Sequence, residues 1–195
     1  GKIIAERYAY GITPQTQMSC WSVTKTVANA LTGILVGRQL IGLDDRDLVS
    51  GWTSLPGGPE VTVNHLLRMT SGVDSIDEDY VSQWDVPTML FREPSASAFA
   101  VSRGLAHRPG KVWNYSSAGT NVLGDYLQTK VIESGLDNDS FPYDSLLNKL
   151  GMRRTVLEQD ASGRFVLSSF MYATPQDLAR FGLLLLRDGV WQGER

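Results

Sequence analysis

Ser22-Val23-Thr24-Lys25 sets a hydroxyl and a primary amine three positions apart. Residues at i and i+3 share one face of a helix, so Lys25 is placed to take the proton from Ser22 and make it a nucleophile. A lysine amine is protonated near neutrality in water, and its surroundings must free the lone pair before it works as a base. A second proton-handling group stands downstream in Asn114-Tyr115-Ser116-Ser117, where a tyrosine hydroxyl directly precedes a helical pattern. Serine, lysine and tyrosine together supply what acyl transfer needs: a nucleophile, a base and an acid for the leaving group. A four-residue match carries little weight until its structural context agrees.

The context is a helix at the right place. Ser22 opens the run Thr26-Val27-Ala28-Asn29-Ala30-Leu31-Thr32-Gly33-Ile34-Leu35-Val36, apolar and small-residued enough to be buried nearly all round and to run to about Gly37. Upstream, Ile3–Tyr10 alternates as a strand does and turns at Gly11-Ile12-Thr13-Pro14. Val63–Met69 reads as a short helix capped by Asn64 and stopped by Thr70-Ser71-Gly72. Further helical patterns fall near 96–106, 117–133, 143–150 and 175–188, the last announced by Thr174-Pro175 as cap and first helical residue. Helices dominate, and a lone ribbon of two strands is marginal, so part of a sheet is expected to be missing.

Composition removes several classes of function. A chain of 195 residues suits one domain, and 42% hydrophobic with 20% charged residues is ordinary globular material. A net charge of -3 leaves no basic footprint for nucleic acid. No apolar run reaches the roughly 18 residues of a membrane span, and no signal peptide opens the chain. The single Cys20 excludes an internal disulfide, which leaves periplasmic, secreted and cytoplasmic locations equally open. Its place beside Ser22 invites a catalytic thiol, but a small buried hydrophobe is the simpler reading.

Several ordered blocks carry a resemblance. They are the Ser22 helix, Val63-Asn64-His65-Leu66-Leu67-Arg68-Met69-Thr70-Ser71-Gly72 and Pro109-Gly110-Lys111-Val112-Trp113-Asn114-Tyr115-Ser116. Leu150-Gly151-Met152-Arg153-Arg154-Thr155 and Thr174-Pro175-Gln176-Asp177-Leu178-Ala179-Arg180-Phe181-Gly182 follow in order. Together they resemble the serine β-lactamase-like hydrolases: class C β-lactamases, D-alanyl-D-alanine carboxypeptidases, related esterases and nylon-oligomer hydrolases. The resemblance implies an α+β, β-lactamase/transpeptidase-like fold. Of that fold the chain is expected to hold mostly the helical part, with one or two strands of an incomplete antiparallel sheet. Residues 1–195 then form one partial domain, with a sheet strand over 1–11, a mainly helical region over 12–195 and the C-terminal sheet strands absent. It further implies Ser22 as the acylated nucleophile, Lys25 as its base, Tyr115 as the partner acid or base, and no cofactor. The implied partner is a small-molecule amide or ester.

Two departures qualify the resemblance. Many class C β-lactamases carry Asn two positions after the tyrosine, where this chain has Ser117. One hydroxyl replaces an amide with both acceptor and donors, which favours the esterase or amidase branches, and the wording Tyr-Ser-Ser is similar to the nylon-oligomer hydrolases. The family's third element, Lys or His followed by Thr or Ser and then Gly, has no match in the sequence. In the family that strand supplies one oxyanion donor, whose loss costs about 10²–10³ in rate. Impaired turnover is therefore expected, together with self-association through an exposed apolar, sheet-facing surface around Ile3–Tyr10 and the helix Leu178–Leu186.

The remaining candidates read more plainly. Ser117 and Trp113 are expected to meet substrate, and Trp84 to line either an acyl pocket or the core. His65 and His107, without further ligands nearby, make no zinc site, and no metal is expected. The acidic stretch Asp74, Asp77, Glu78, Asp79 reads as a solvated loop. A non-catalytic reading, a penicillin-binding-like module that holds peptides or cell-wall fragments, has no physical need for Ser22, Lys25 and Tyr115 together.

Overall fold

The computed structural model describes residues 2–75, 77 and 85–194. The first long helix forms where its apolar face demands burial. A 3₁₀ turn at Trp21–Val23 leads into α1, Thr24–Gly37, which buries Val27, Ala28, Leu31 and Leu35. Helix α2 (Val63–Leu67) begins at Thr62, whose hydroxyl accepts the His65 backbone N–H. His65 Nδ1 accepts the Thr62 N–H in return. This reciprocal pair is a capping box with histidine in the position usually held by Glu or Gln, so the cap is Thr62 and not Asn64.

Helix α3 (Asp85–Phe91) tolerates Pro87 because a proline in the first helical turn displaces no intrahelical bond. Helix α4 (Ala96–Arg103) starts at the Ser95 cap and ends at Gly104, whose φ of 72° stops the helix. Helix α5 (Ser117–Glu133) is the central post, with Ser116 capping the Gly119 N–H at 2.9 Å. It is buried on most of its circumference and packs against α1, α2 and α4. Small residues permit that closeness: a Cβ on Gly124 would meet Leu167 at 3.3 Å. The expected helix near 143–150 is a π-helical turn at Tyr143–Leu147. Helix α6 (Pro175–Leu186) has the anticipated Thr174 cap on the Asp177 N–H.

A small antiparallel sheet locks the start of α1. Strands β1 (Met18–Ser19), β2 (Val156–Leu157) and β3 (Met171–Ala173) lie in the order β1-β3-β2, with Ser19 opposite Tyr172 and Val156 opposite the same residue. Beyond the ladder, the Cys20 N–H donates to Met171 O at 2.8 Å, and the Met171 N–H donates to Thr24 Oγ1 at 3.2 Å. The core around these elements includes Trp52, Leu66, Met89, Leu127, Leu147 and Met152, all fully buried.

One expected strand is corrected. Residues 2–9 pair with no strand among the described residues, and Ile4 is 93% exposed. Alternation offers a face to bury, but a strand also requires a neighbouring ladder, and none of the described residues provides one. In α6, Phe181 and Leu184 are buried, whereas Leu185 and Leu186 face outward. None of the described helices is long and apolar enough to cross a membrane.

Candidate active site

Ser22 is presented on a strained turn. Trp21 holds φ at 43°, a left-handed conformation that costs a non-glycine residue about 1 kcal/mol or more. Thr24 keeps it there: its hydroxyl donates to Trp21 O at 2.6 Å while accepting the Met171 N–H. The turn leaves Ser22 exposed at the head of α1, with Lys25 half-buried one turn on.

Lys25 Nζ lies 3.0 Å from Ser22 Oγ, 3.0 Å from Ser117 Oγ and 3.0 Å from the Ser168 carbonyl. The three partners come from the 3₁₀ turn before α1, from α5 and from the segment entering β3. As an ammonium, Lys25 donates to all three. As a neutral amine it has two N–H groups and one lone pair, which suits donation to Ser168 O and Ser117 Oγ and acceptance from the Ser22 hydroxyl. Ser168 O accepts only, so one N–H is always committed to it. That fixed donor aims the rest of the amine.

Tyr115 arrives from the loop before α5. Its ring stands over Lys25, with Nζ 4.9 Å from the ring centroid, within range of a cation–π contact. Lys25 thus meets Ser22 through a hydrogen bond and Tyr115 through a ring-face contact. The loop is tied down by the segment 69–75: the Asn114 N–H donates to Met69 O at 2.8 Å, Asn114 Nδ2 to Ser75 O at 2.9 Å, and the Gly110 N–H to Thr70 O at 2.8 Å. Gly72 makes the close approach feasible, since a Cβ there would lie 2.0 Å from His107 O at a φ of 83°.

Ser117 is buried, with its hydroxyl 3.0 Å from Lys25 Nζ, and its backbone N–H donates to Asp77 Oδ2 at 2.6 Å. Trp113 is 64% exposed on the wall of a cleft of about 350 Å³, shared with Asp74, Ser75, Asp77, His107 and Asn114. Trp84, Glu78 and Asp79 lie outside the described residues. His65 serves the α2 cap, and among the described residues no group of three or more His, Cys, Asp or Glu could hold a metal ion. Cys20 is buried, and burial pushes its thiol up while a backbone hydrogen bond at Ala173 pulls the other way.

Two participants escaped the sequence reading. Ser168 acts through its main-chain carbonyl, which leaves no trace in residue type. Asp77, expected in a solvated loop, is only 4% exposed. Its proximity to Thr70-Ser71-Gly72 was the one available hint, and Asp74 shares it.

With this geometry in place, comparison with known proteins decides the family. The beta-lactamase family model matches residues 1–194. The chain belongs to the beta-lactamase family. That family consists of serine hydrolases on this fold, and the chain shares its mostly helical α+β build with a small antiparallel sheet. Among solved structures, a putative 6-aminohexanoate-dimer hydrolase from Bacillus anthracis is similar at 20% identity and a TM-score of 0.79, over 97% of this chain and 52% of that one. A D-amino acid amidase from Ochrobactrum anthropi SV3 is similar at 18% identity and a TM-score of 0.67, over 92% and 58% of the two chains. An octameric penicillin-binding protein homologue from Pyrococcus abyssi is similar at 21% identity and a TM-score of 0.67, over 91% and 46%. The chain therefore spans about half the length of these structures. At such identities they establish the shared fold alone. No curated protein sequence matches the chain.

Proposed function

We propose that the protein hydrolyses small-molecule amides or esters through an acyl-enzyme on Ser22. The observation that carries this reading is the placement of Lys25 Nζ 3.0 Å from Ser22 Oγ, with its remaining donors directed to Ser117 Oγ and Ser168 O. Ser22 Oγ attacks the substrate carbonyl as its proton passes to Lys25. Tyr115 gives a proton to the departing amine or alcohol, and the proton on Lys25 resets the pair. Water then adds to the acyl group with the same residues acting in reverse, releasing the acid and regenerating Ser22. No cofactor enters this scheme.

The cleft lined by Trp113 and Asn114 borders the loop that carries Tyr115, and in this proposal it takes the part of the substrate away from the reacting carbonyl. Exposed indole and buried carboxylate on its walls suit a substrate with an apolar chain and polar ends, in keeping with the amide branches of the fold. A second contact, self-association, is supported by Leu185 and Leu186, which are 49% and 81% exposed at the end of α6.

Hydrolysis of a panel of nitrophenyl esters and anilides, compared between the wild type and Ser22→Ala, tests the proposal. Turnover that Ser22→Ala abolishes supports it. Turnover that survives within about tenfold moves the chemistry to another residue.

A further inference from the structure

Asp77 carries a buried carboxylate next to the site, and its partners are unusual for a loop acid. Oδ2 accepts the Ser117 N–H at 2.6 Å and Oδ1 accepts the Ser75 hydroxyl at 3.1 Å. Among the described residues it forms no ion pair. Capping of α5 does not account for it, because Ser116 already fills that role. Asp77 instead takes the first N–H of a 17-residue helix, one of the orphan donors at a helix start, where the helix dipole favours a negative charge.

The consequence lies in what this bond brackets. Ser75 and Asp77 hold the site loop at two points, Ser75 O on Asn114 Nδ2 and Asp77 Oδ2 on the Ser117 N–H. Tyr115 stands between them, and Ser117 Oγ is one of the partners that aim Lys25 Nζ. We infer that Asp77 is a positioning residue, which fixes the backbone at Ser117 so that Ser117 Oγ and Tyr115 keep their places against Lys25. The inference rests on the reading of Ser22 and Lys25 as the reacting pair. Asp77 also lines the 350 Å³ cleft, so it joins the wall of that cleft to the amine.

Acceptor geometry at Ser117 is what must be varied. Asp77→Ala removes the acceptor, whereas Asp77→Asn keeps one carbonyl oxygen able to accept the Ser117 N–H, removes the charge and turns an NH2 donor toward the Ser75 hydroxyl, which can accept it. Both are compared with the wild type by the rate of Ser22 labelling with a fluorophosphonate, at a temperature where circular dichroism shows each variant fully folded. Asp77→Ala is expected to label about 10²-fold more slowly, the cost of displacing reacting groups by about an ångström. Asp77→Asn is expected to recover to within about tenfold of the wild type. In a Ser117→Ala background the further loss from Asp77→Ala shrinks to about threefold, because the path through the Ser117 hydroxyl is already gone.

Folded Asp77→Ala labelling at the wild-type rate overturns the inference, and so does Asp77→Asn as slow as Asp77→Ala. The Ser117 amide resonance separates the two levels of the argument. If the wild type takes no label, the Ser22 reading fails by itself. The positioning role is then decided by that amide, which must move upfield and lose exchange protection in Asp77→Ala but not in Asp77→Asn. An unchanged amide in Asp77→Ala overturns it.

Discussion

The start of α1 and the end of α6 are both helix termini of one chain, yet they are built in opposite ways. At the start of α1 the polar groups are bound across large distances in sequence: Lys25 to Ser117 and Ser168, Thr24 to Met171, Cys20 to Met171. At the end of α6 the apolar Leu185 and Leu186 lie in the open. The first terminus is over-determined by partners from α5 and β3, which is what holding Trp21 in a strained conformation requires. The second is determined only on its Phe181 and Leu184 side. Hydrogen bonds from distant parts of the sequence thus converge where the hydroxyl and amine meet.

Breaking the α1 terminus should have the largest effects. Ser22→Ala is expected to lower hydrolysis about 10⁴-fold or more with little change in melting temperature, and Lys25→Ala nearly as much, since residues acting as a unit give non-additive losses. Steady-state rates and thermal melts on the same samples check both parts. Tyr115→Phe keeps the ring over Lys25 and deletes the hydroxyl. Its expected loss is about 10²–10⁴-fold, the range of general acid–base catalysis, and it should fall on substrates with poor leaving groups more than on activated esters. Equal losses on both classes would leave the hydroxyl without a role in leaving-group protonation.

Thr24→Val sharpens the comparison through stability. It strands the buried Met171 N–H and releases Trp21 O, and urea unfolding should show a loss of about 1–3 kcal/mol. Cys20 lies two residues from Ser22 but is expected to be chemically silent. Its raised thiol keeps it neutral near pH 7, so alkylation by iodoacetamide should be slow in the folded protein and fast in denaturant. The sign follows from the raised value: stability that depends on the neutral thiol is present below the ordinary thiol range and is lost as pH climbs through the folded-state value. Leu185→Ser with Leu186→Ser should change folding stability by no more than about 0.5 kcal/mol. The same pair should reduce self-association in sedimentation velocity. An unchanged monomer in both proteins would remove the α6 face as a contact surface.

How much of this was legible depends on which groups do the work. The roles proposed for Ser22, Lys25 and Tyr115 belong to side chains at or beside the starts of strongly patterned helices, and the α1, α5 and α6 patterns each fall on the helix they announce. The Thr174-Pro175 start is legible for the same reason, because cap chemistry is local. Ser168 was invisible because every residue carries a carbonyl, and β2 and β3 because two or three residues are too few to show alternation. Asp77 read as solvent-facing because burial of an acid depends on a donor 40 residues away. Ile3–Tyr10 erred in the other direction, since alternation predicts a strand without knowing whether a partner is beside it.

Ser22, activated by Lys25, is the proposed acylated nucleophile. Intact-mass spectrometry after incubation with a fluorophosphonate, followed by peptide mapping, addresses it directly. One adduct per chain is expected, located on Ser22, absent from Ser22→Ala and strongly slowed in Lys25→Ala. A folded wild-type chain that stays unmodified, or an adduct that maps to any other residue, would contradict it.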